Sequence, residues 1–237
     1  MKDRVCGIIG GMGSEATIDL FEKILKNTPA KTDQDHIPLI IFSNPKIPSR
    51  YEAILEGGES PIPYLIEAVK KLERVGAEFI AIACNLAHYY YDELQKEANI
   101  PILHIVRETV DFITKNYQVR KVGVLAPTPT IKVGLYQEEL RKAGFEVVTL
   151  DEDQTRNLVD EAIYSEQGIK AGFIKENVEL VLKAVGYLIK EGAELVVLAC
   201  TELPLIAEYF EEEVKRKVVD PTDVLAKRIV IASKSPQ

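Results

Sequence analysis

Apolar residues gather along this chain into short, nearly continuous runs separated by longer stretches with helical spacing. The runs are Val5–Ile9, Leu39–Phe42, Phe79–Ala83, Val122–Ala126, Glu146–Leu150 and Leu195–Ala199. A short run with little or no polar alternation fits a strand covered on both faces. Between the runs, Ser60–Val75 and Asn177–Glu191 repeat their apolar residues as a helix does, and another helix is expected to begin near Ser14. The PIP at Pro61–Pro63 suits a helix start. This alternation predicts an α/β fold built on parallel, doubly wound sheets.

The pattern also repeats. Leu72–Asn85 reads LERVGAEFIAIACN and Leu188–Thr201 reads LIKEGAELVVLACT, with six of fourteen positions identical. The two stretches lie 116 positions apart, and the same offset pairs Gly7 with Gly123 and IPILHIV near Ile100 with RKVVDPT near Arg216. Three anchors with one offset predict a duplicated α/β unit, one copy in each half. Each repeat reads as a helix end, a glycine, then a buried strand that ends in cysteine.

Bulk properties narrow the partners. The chain has 237 residues, 46% apolar and 28% charged, enough for a substantial core in one large or two small domains. A net charge of −8 argues against general nucleic-acid binding, which needs clustered Lys and Arg. No apolar run approaches eighteen residues, and MKDRVCGIIGG has no apolar core of a signal peptide, so a cytoplasmic protein with no membrane partner is expected. Three scattered cysteines do not make a disulfide framework. Plentiful Lys and Glu, scarce Met and absent Trp fit a thermophilic source. The tail SKSPQ is expected to fray.

Two features carry candidate chemistry. The first is GIIGGMGSEAT, Gly7–Thr17, in which Gly11, Gly13 and Ala16 match a dinucleotide fingerprint. That fingerprint needs an acid at the end of the next strand, but PLIIF ends in Ser43-Asn44-Pro45, and Asp33 and Asp35 precede the strand. What remains is a glycine turn whose backbone N–H groups could approach an anion, a small carboxylate included. The second is the pair Cys84 and Cys200, each at a strand's carboxyl end and before a polar residue and an expected helix start. Ligands of open parallel sheets bind at that end, and a helix N-terminus favours thiolate. Two thiols facing opposite sides of one small molecule could invert a stereocentre, one removing a proton and the other delivering one. The plainer alternative is a pair of buried core cysteines. Cys6, whose counterpart is Val122, reads as core. No C-x-x-C redox motif and no metal-ligand spacing are present.

The motifs GGMG-x-EAT at Gly10–Thr17, N-P-x-I-P-x-R at Asn44–Arg50, ACN-x-AH at Ala83–His88 and ACTELPL at Ala199–Leu205 resemble the aspartate/glutamate racemase family, in particular its aspartate racemase branch. The resemblance implies two similar doubly wound domains related by pseudo-twofold symmetry, with the active site between them. It implies a first domain of 1–99 plus 214–237, a second of 100–213, and a homodimer. It implies a cofactor-independent racemase of a small amino acid, aspartate first, with Cys84 and Cys200 as the acid/base pair and no metal. Arg50 and Lys170 match the residues for the substrate's side-chain carboxylate. Asn85 and Thr201 match positions for its α-amino and α-carboxylate groups, or cap the helices that follow. Met12 and Gly13 would give backbone contacts. The chain departs from the family at Ser14, where proline is usual, at Leu86, where threonine is usual, and at Pro127, which replaces the first threonine of a pair whose second is Thr130. These changes put the preferred substrate in question, and a related isomerase or a non-catalytic amino-acid-binding protein is the alternative. Glu202 stands where the glutamate branch has histidine. His88 reads as a structural histidine on a helix face, or as an assistant to Cys84.

Overall fold

The computed structural model describes residues 3–235. Met1 and Lys2, which open MKDRVCGIIGG, and Pro236 and Gln237, the end of the expected frayed tail, lie outside the described residues. The chain divides into two units. One runs to Glu108 and resumes at Thr222; the other is Thr109–Pro221.

The first unit holds a parallel sheet in the order β2-β1-β3, from β1 (Cys6–Gly10), β2 (Leu39–Ser43) and β3 (Phe79–Ile82). Ile102 adds a parallel bridge to Ile80 on the far side of β3. Its helices are α1 (Ser14–Asn27), α2 (Arg50–Leu55), α3 (Ile62–Arg74) and α4 (Tyr91–Glu97), and α5 (Ile105–Asn116) contains the first division between units. The second unit has the order β5-β4-β6-β7, from β4 (Lys121–Leu125), β5 (Glu146–Thr149), β6 (Leu195–Leu198) and β7 (Val218–Val219). Its helices include α6 (Thr128–Lys132), α7 (Leu135–Lys142), α8 (Glu152–Gln154), a π-helical stretch at Thr155–Asp160 running into α9 (Glu161–Tyr164), and α10 (Val178–Lys190).

The repeat read from the sequence is a repeat of register. Cys6 faces Phe79 across β1 and β3; Val122 and Leu195, each 116 positions on, face each other across β4 and β6. Ile102 beside Ile80 has its counterpart in Val218 beside Val196. The identical residues have identical work. Gly76 and Gly192 take φ of +96° and +94°, the left-handed turn that ends α3 and α10 and that glycine adopts without strain. Ala77 and Ala193 then face Gly7 and Gly123 in the central strands. A methyl on Gly7 would stand 2.9 Å from the Ala77 Cβ, and one on Gly123 3.1 Å from the Ala193 Cβ. Glycine at these points lets the helix end lie directly on the strand. Glu78 accepts a hydrogen bond from the Val5 N–H at 2.8 Å, and Glu194 accepts from the Lys121 N–H at 3.1 Å, so each Gly-Ala-Glu also satisfies an amide at the head of a central strand.

Three expectations change. The outer strands β2 and β5 are only half-buried, with Ile41 39% exposed, because each is an edge strand. The units divide after Glu108 and Pro221, not after 99 and 213. Ile102 is bridged to the first sheet and Val218–Val219 to the second, so both segments stay with the sheets they extend. The C-terminal helix, Pro221–Lys234, takes in part of the tail expected to fray: Ser233 is buried, and its hydroxyl donates to the Arg4 carbonyl at 2.7 Å. No helix among the described residues is long and apolar enough to cross a membrane.

Candidate active site

The expected site residues fall into two groups, one per unit. Met12, Gly13, Arg50, Cys84, Asn85 and Leu86 belong to the first; Thr130, Lys170, Cys200 and Thr201 belong to the second. In each unit the residues follow the carboxyl ends of neighbouring strands. The Ala83 N–H donates to the Ile9 carbonyl at 2.9 Å, and the Ala199 N–H to the Leu125 carbonyl at 2.8 Å. Each cysteine is therefore delivered one residue beyond the sheet, beside the loop that leaves the central strand.

In the first unit that loop is the glycine turn. Gly11 has φ of +88°, and a Cβ there would lie 2.5 Å from the Asn44 backbone, so conformation and space both require glycine. The Thr17 hydroxyl accepts from the Gly11 N–H at 2.9 Å and donates to the Gly13 carbonyl at 2.8 Å, which fixes the turn from inside α1. Gly13 is the N-cap of α1 and Met12 is buried. Arg50 ties this turn to the next. One terminal nitrogen donates to the Pro48 carbonyl at 2.8 Å and the Ile47 carbonyl at 3.3 Å; the other donates to the Met12 carbonyl at 3.3 Å. Its Nε is buried with no hydrogen-bond partner among the described residues. The guanidinium is thus held rigidly by carbonyls while one donor is left over.

Cys84 is 7% exposed and Asn85 and Leu86 are buried. A 3-10 turn, Leu86–Tyr90, follows them in place of the expected α-helix start, and the Asn85 side chain makes no capping bond to it. His88 braces this segment. Its Nδ1 lies 2.9 Å from the Cys84 carbonyl, and its Nε2 lies 3.3 Å from both the Ile105 N–H nitrogen and the Leu103 carbonyl. The shorter Nδ1 contact places the proton of a neutral ring on Nδ1, donating to Cys84, and leaves Nε2 to accept from Ile105. Burial lowers the pKa of His88 to about 4. His88 therefore acts on the Cys84 backbone, as the structural reading had it.

In the second unit Cys200, 9% exposed, is followed by Thr201 and a turn into the four-residue helix Pro204–Ala207. The expected thiolate-favouring helix end is absent. Burial pushes the Cys200 thiol well above its ordinary pKa, the adjacent Glu202 carboxylate adds to this, and Lys170 only partly opposes it. The Cys200 thiol donates to Glu202 Oε2 at 3.0 Å, and the Thr201 hydroxyl lies 3.3 Å from the same oxygen. Glu202 is itself buried, and its other oxygen is paired with the Lys170 ammonium. Burial alone would raise the Glu202 pKa; Lys170 and the Cys200 hydrogen bond outweigh it and hold the carboxyl below its usual range. Glu202 is the site residue that the sequence did not single out for chemistry, although its place two positions after a strand-end cysteine was on view.

The loop after β4 holds the remaining group. Thr130 is buried, and its hydroxyl has no partner among the described residues. Pro127 is the N-cap of α6, and Thr128 anchors the loop: its N–H and hydroxyl reach Asp160 in the π-helical stretch at 2.9 and 2.5 Å. Cys6 is fully buried in β1, in keeping with a core residue. No group of three or more His, Cys, Asp or Glu among the described residues could hold a metal ion.

Known proteins share this chain's sequence pattern and fold. A family model described as Asp/Glu/hydantoin racemase matches residues 9–229. The broad-specificity amino-acid racemase RacX of Bacillus subtilis is 30% identical, over 94% of this chain and 96% of its own length. Among solved structures, an aspartate racemase of Picrophilus torridus superposes with a TM-score of 0.83 at 29% identity, covering 97% of this chain and 94% of that one. An aspartate racemase homologue from Pyrococcus horikoshii does so with a TM-score of 0.75 at 29% identity, covering 99% and 100%.

Proposed function

The chain belongs to the Asp/Glu/hydantoin racemase family, and we propose that it interconverts L- and D-aspartate without a cofactor, using Cys84 and Cys200 as two bases. The observation that carries this reading is the placement of one thiol at the same register in two copies of one sheet, each just past the carboxyl end of its strand. Inversion at carbon needs this economy of parts. One sulfur takes the α-proton, the other delivers a proton to the opposite face, and the roles exchange for the reverse reaction.

The other residues take supporting roles. Arg50, with its Nε–H unclaimed and its terminal nitrogens fixed to carbonyls, is a pre-set donor for a carboxylate. Asn85, Thr201 and the backbone of Met12 and Gly13 hold the α-amino and α-carboxylate groups. The spare hydroxyl of Thr130 contacts the substrate, and Lys170 meets its side-chain carboxylate. The protein acts as a homodimer in the same reading. A second reading is a wider substrate range. It is favoured by the 30% identity to the broad-specificity RacX and by Leu86 and Pro127, which replace two expected hydroxyls.

The test is proton NMR of L-aspartate with the purified protein in D₂O, no cofactor added, with D-aspartate assayed in parallel. Loss of the α-proton signal together with D-aspartate formation is expected, and Cys84→Ser or Cys200→Ser is expected to abolish inversion. Ordinary rates in both serine variants would refute the two-thiol mechanism. Exchange on other amino acids but not aspartate would favour the wider range. Ligand binding with no exchange on any amino acid would make the protein a binder.

A further inference from the structure

The second unit sets two groups in a row behind the Cys200 thiol, Glu202 and then Lys170, an arrangement that a two-thiol mechanism does not require. The Cys200 thiol donates to one carboxylate oxygen of Glu202 at 3.0 Å, and the Lys170 ammonium holds the other. The Glu202 side chain is 5% exposed and that of Lys170 is 29% exposed. A buried carboxylate must be paired, and Lys170 supplies the pairing. The ammonium assigned above to the substrate's side-chain carboxylate is therefore already engaged.

We infer that Lys170 and Glu202 form a gate that arms Cys200 as a base only when an anionic side chain binds. This inference rests on the racemase reading above. While Lys170 holds Glu202, the carboxylate has little affinity for a proton and Cys200 keeps its thiol hydrogen. A substrate carboxylate arriving at Lys170 puts two anions on one cation. Like charges sharing a site raise the proton affinity of one of them, and the nearest proton is on Cys200. The Sγ–H bond breaks, an O–H bond forms on Glu202 Oε2, and the electron pair stays on sulfur as thiolate. That thiolate then takes the α-proton. When product and its carboxylate leave, Lys170 returns to Glu202, whose proton passes to solvent, while Cys84, left as thiolate by delivering its own proton, takes one back from solvent; Cys200 keeps the former α-proton and the resting state is restored. Glu202 touches the reacting sulfur and not the substrate, so it is a positioning and proton-holding residue. The device ties turnover to a dicarboxylic amino acid, because a neutral side chain leaves the gate shut.

Wild-type enzyme tests this without any variant. α-Proton exchange in D₂O is expected to be at least tens of times faster on aspartate than on alanine, and added acetate, a free carboxylate for Lys170, is expected to speed exchange on alanine. In Glu202→Gln, which has the same shape but no proton affinity, kcat on aspartate should fall roughly 100-fold, the usual scale of general acid–base assistance. KM should not rise, because Lys170 is released to the substrate. Lys170→Met should instead raise KM for aspartate and remove the acetate effect. A purely structural Glu202 would not split kcat from KM in this way. Alanine exchange as fast as aspartate exchange, no response to acetate, or an aspartate kcat unchanged in Glu202→Gln would each overturn the gate. If the cysteine variants lose exchange while Glu202→Gln keeps it, the gate alone fails; if wild type exchanges no amino acid, the racemase reading fails with it.

Discussion

Lowering the pH from 7.5 to 5 is expected to cost about 2 kcal/mol of stability through His88 alone. Its ring is buried, and burial takes its pKa from 6.5 to about 4. The unfolded chain therefore binds a proton that the folded chain refuses throughout the window between about 4 and 6.5. Stability rises with pH wherever the unfolded state binds more protons, so His88 contributes nothing unfavourable above 6.5 and a growing loss below it. At pH 5, about 1.5 pH units into the window, the loss is about 2 kcal/mol at about 1.4 kcal/mol per unit. The cause is the loss of water around the ring, which the carbonyls of Cys84, Leu103 and Asn85 only partly oppose. His104, whose ring centre lies 5.0 Å from that of His88, is shifted in the same direction, to about 3, by burial and then by His88. With three histidines in the chain, the ring-proton NMR signals can be followed individually through a pH titration, alongside urea unfolding at pH 7.5, 6.5 and 5. His88→Asn should be less stable at pH 7.5 and lose less between 7.5 and 5. A His88 signal that titrates near 6.5, or a wild-type stability that is flat over this range, would refute the reasoning.

Two further predictions come from the close contacts of the fold. Gly7→Ala forces a methyl to 2.9 Å from the Ala77 Cβ and 3.1 Å from Leu72, so it should destabilise by about 2 kcal/mol; Gly123→Ala, with its nearest contact at 3.1 Å, should cost about half as much by urea titration, and the reverse order would contradict the account of helix-on-strand packing. Thr17→Val keeps the shape of a buried side chain but leaves the Gly11 N–H without its acceptor, a loss of about 1–3 kcal/mol; faster amide exchange at Gly11 and a raised KM for aspartate are expected, and unchanged exchange would show that the hydroxyl does not hold the turn.

Much of this was open to reading in the chain because the repeated residues act locally or on near neighbours. Gly-Ala-Glu ends a helix, clears room over a strand and satisfies an amide, so its recurrence reports a recurring register. The second strand escaped the common offset: Leu39 pairs with Cys6, but Val147, not residue 155, pairs with Val122. Edge strands tolerate changes in the length of their connections, and so the repeat is lost there. Arg50 was visible as the last residue of N-P-x-I-P-x-R, although its anchoring to Met12, 38 positions away, was not. The surroundings of Cys200 were not legible, since the sequence shows a strand end but not that the turn after it leads into a helix of only four residues.

The sequence by itself determined the α/β class, the duplication, the strand-end cysteines and the glycine turn, because each follows from period, local backbone demands and adjacency along the chain. Only the tertiary structure decided that Lys170 meets Glu202 across 32 positions, that Glu202 accepts a hydrogen bond from the Cys200 thiol, and that His88 holds the Cys84 backbone from inside the core. Those depend on which side chains share a buried volume, where an unpaired charge or donor is costly and must find whichever partner the packing brings within reach.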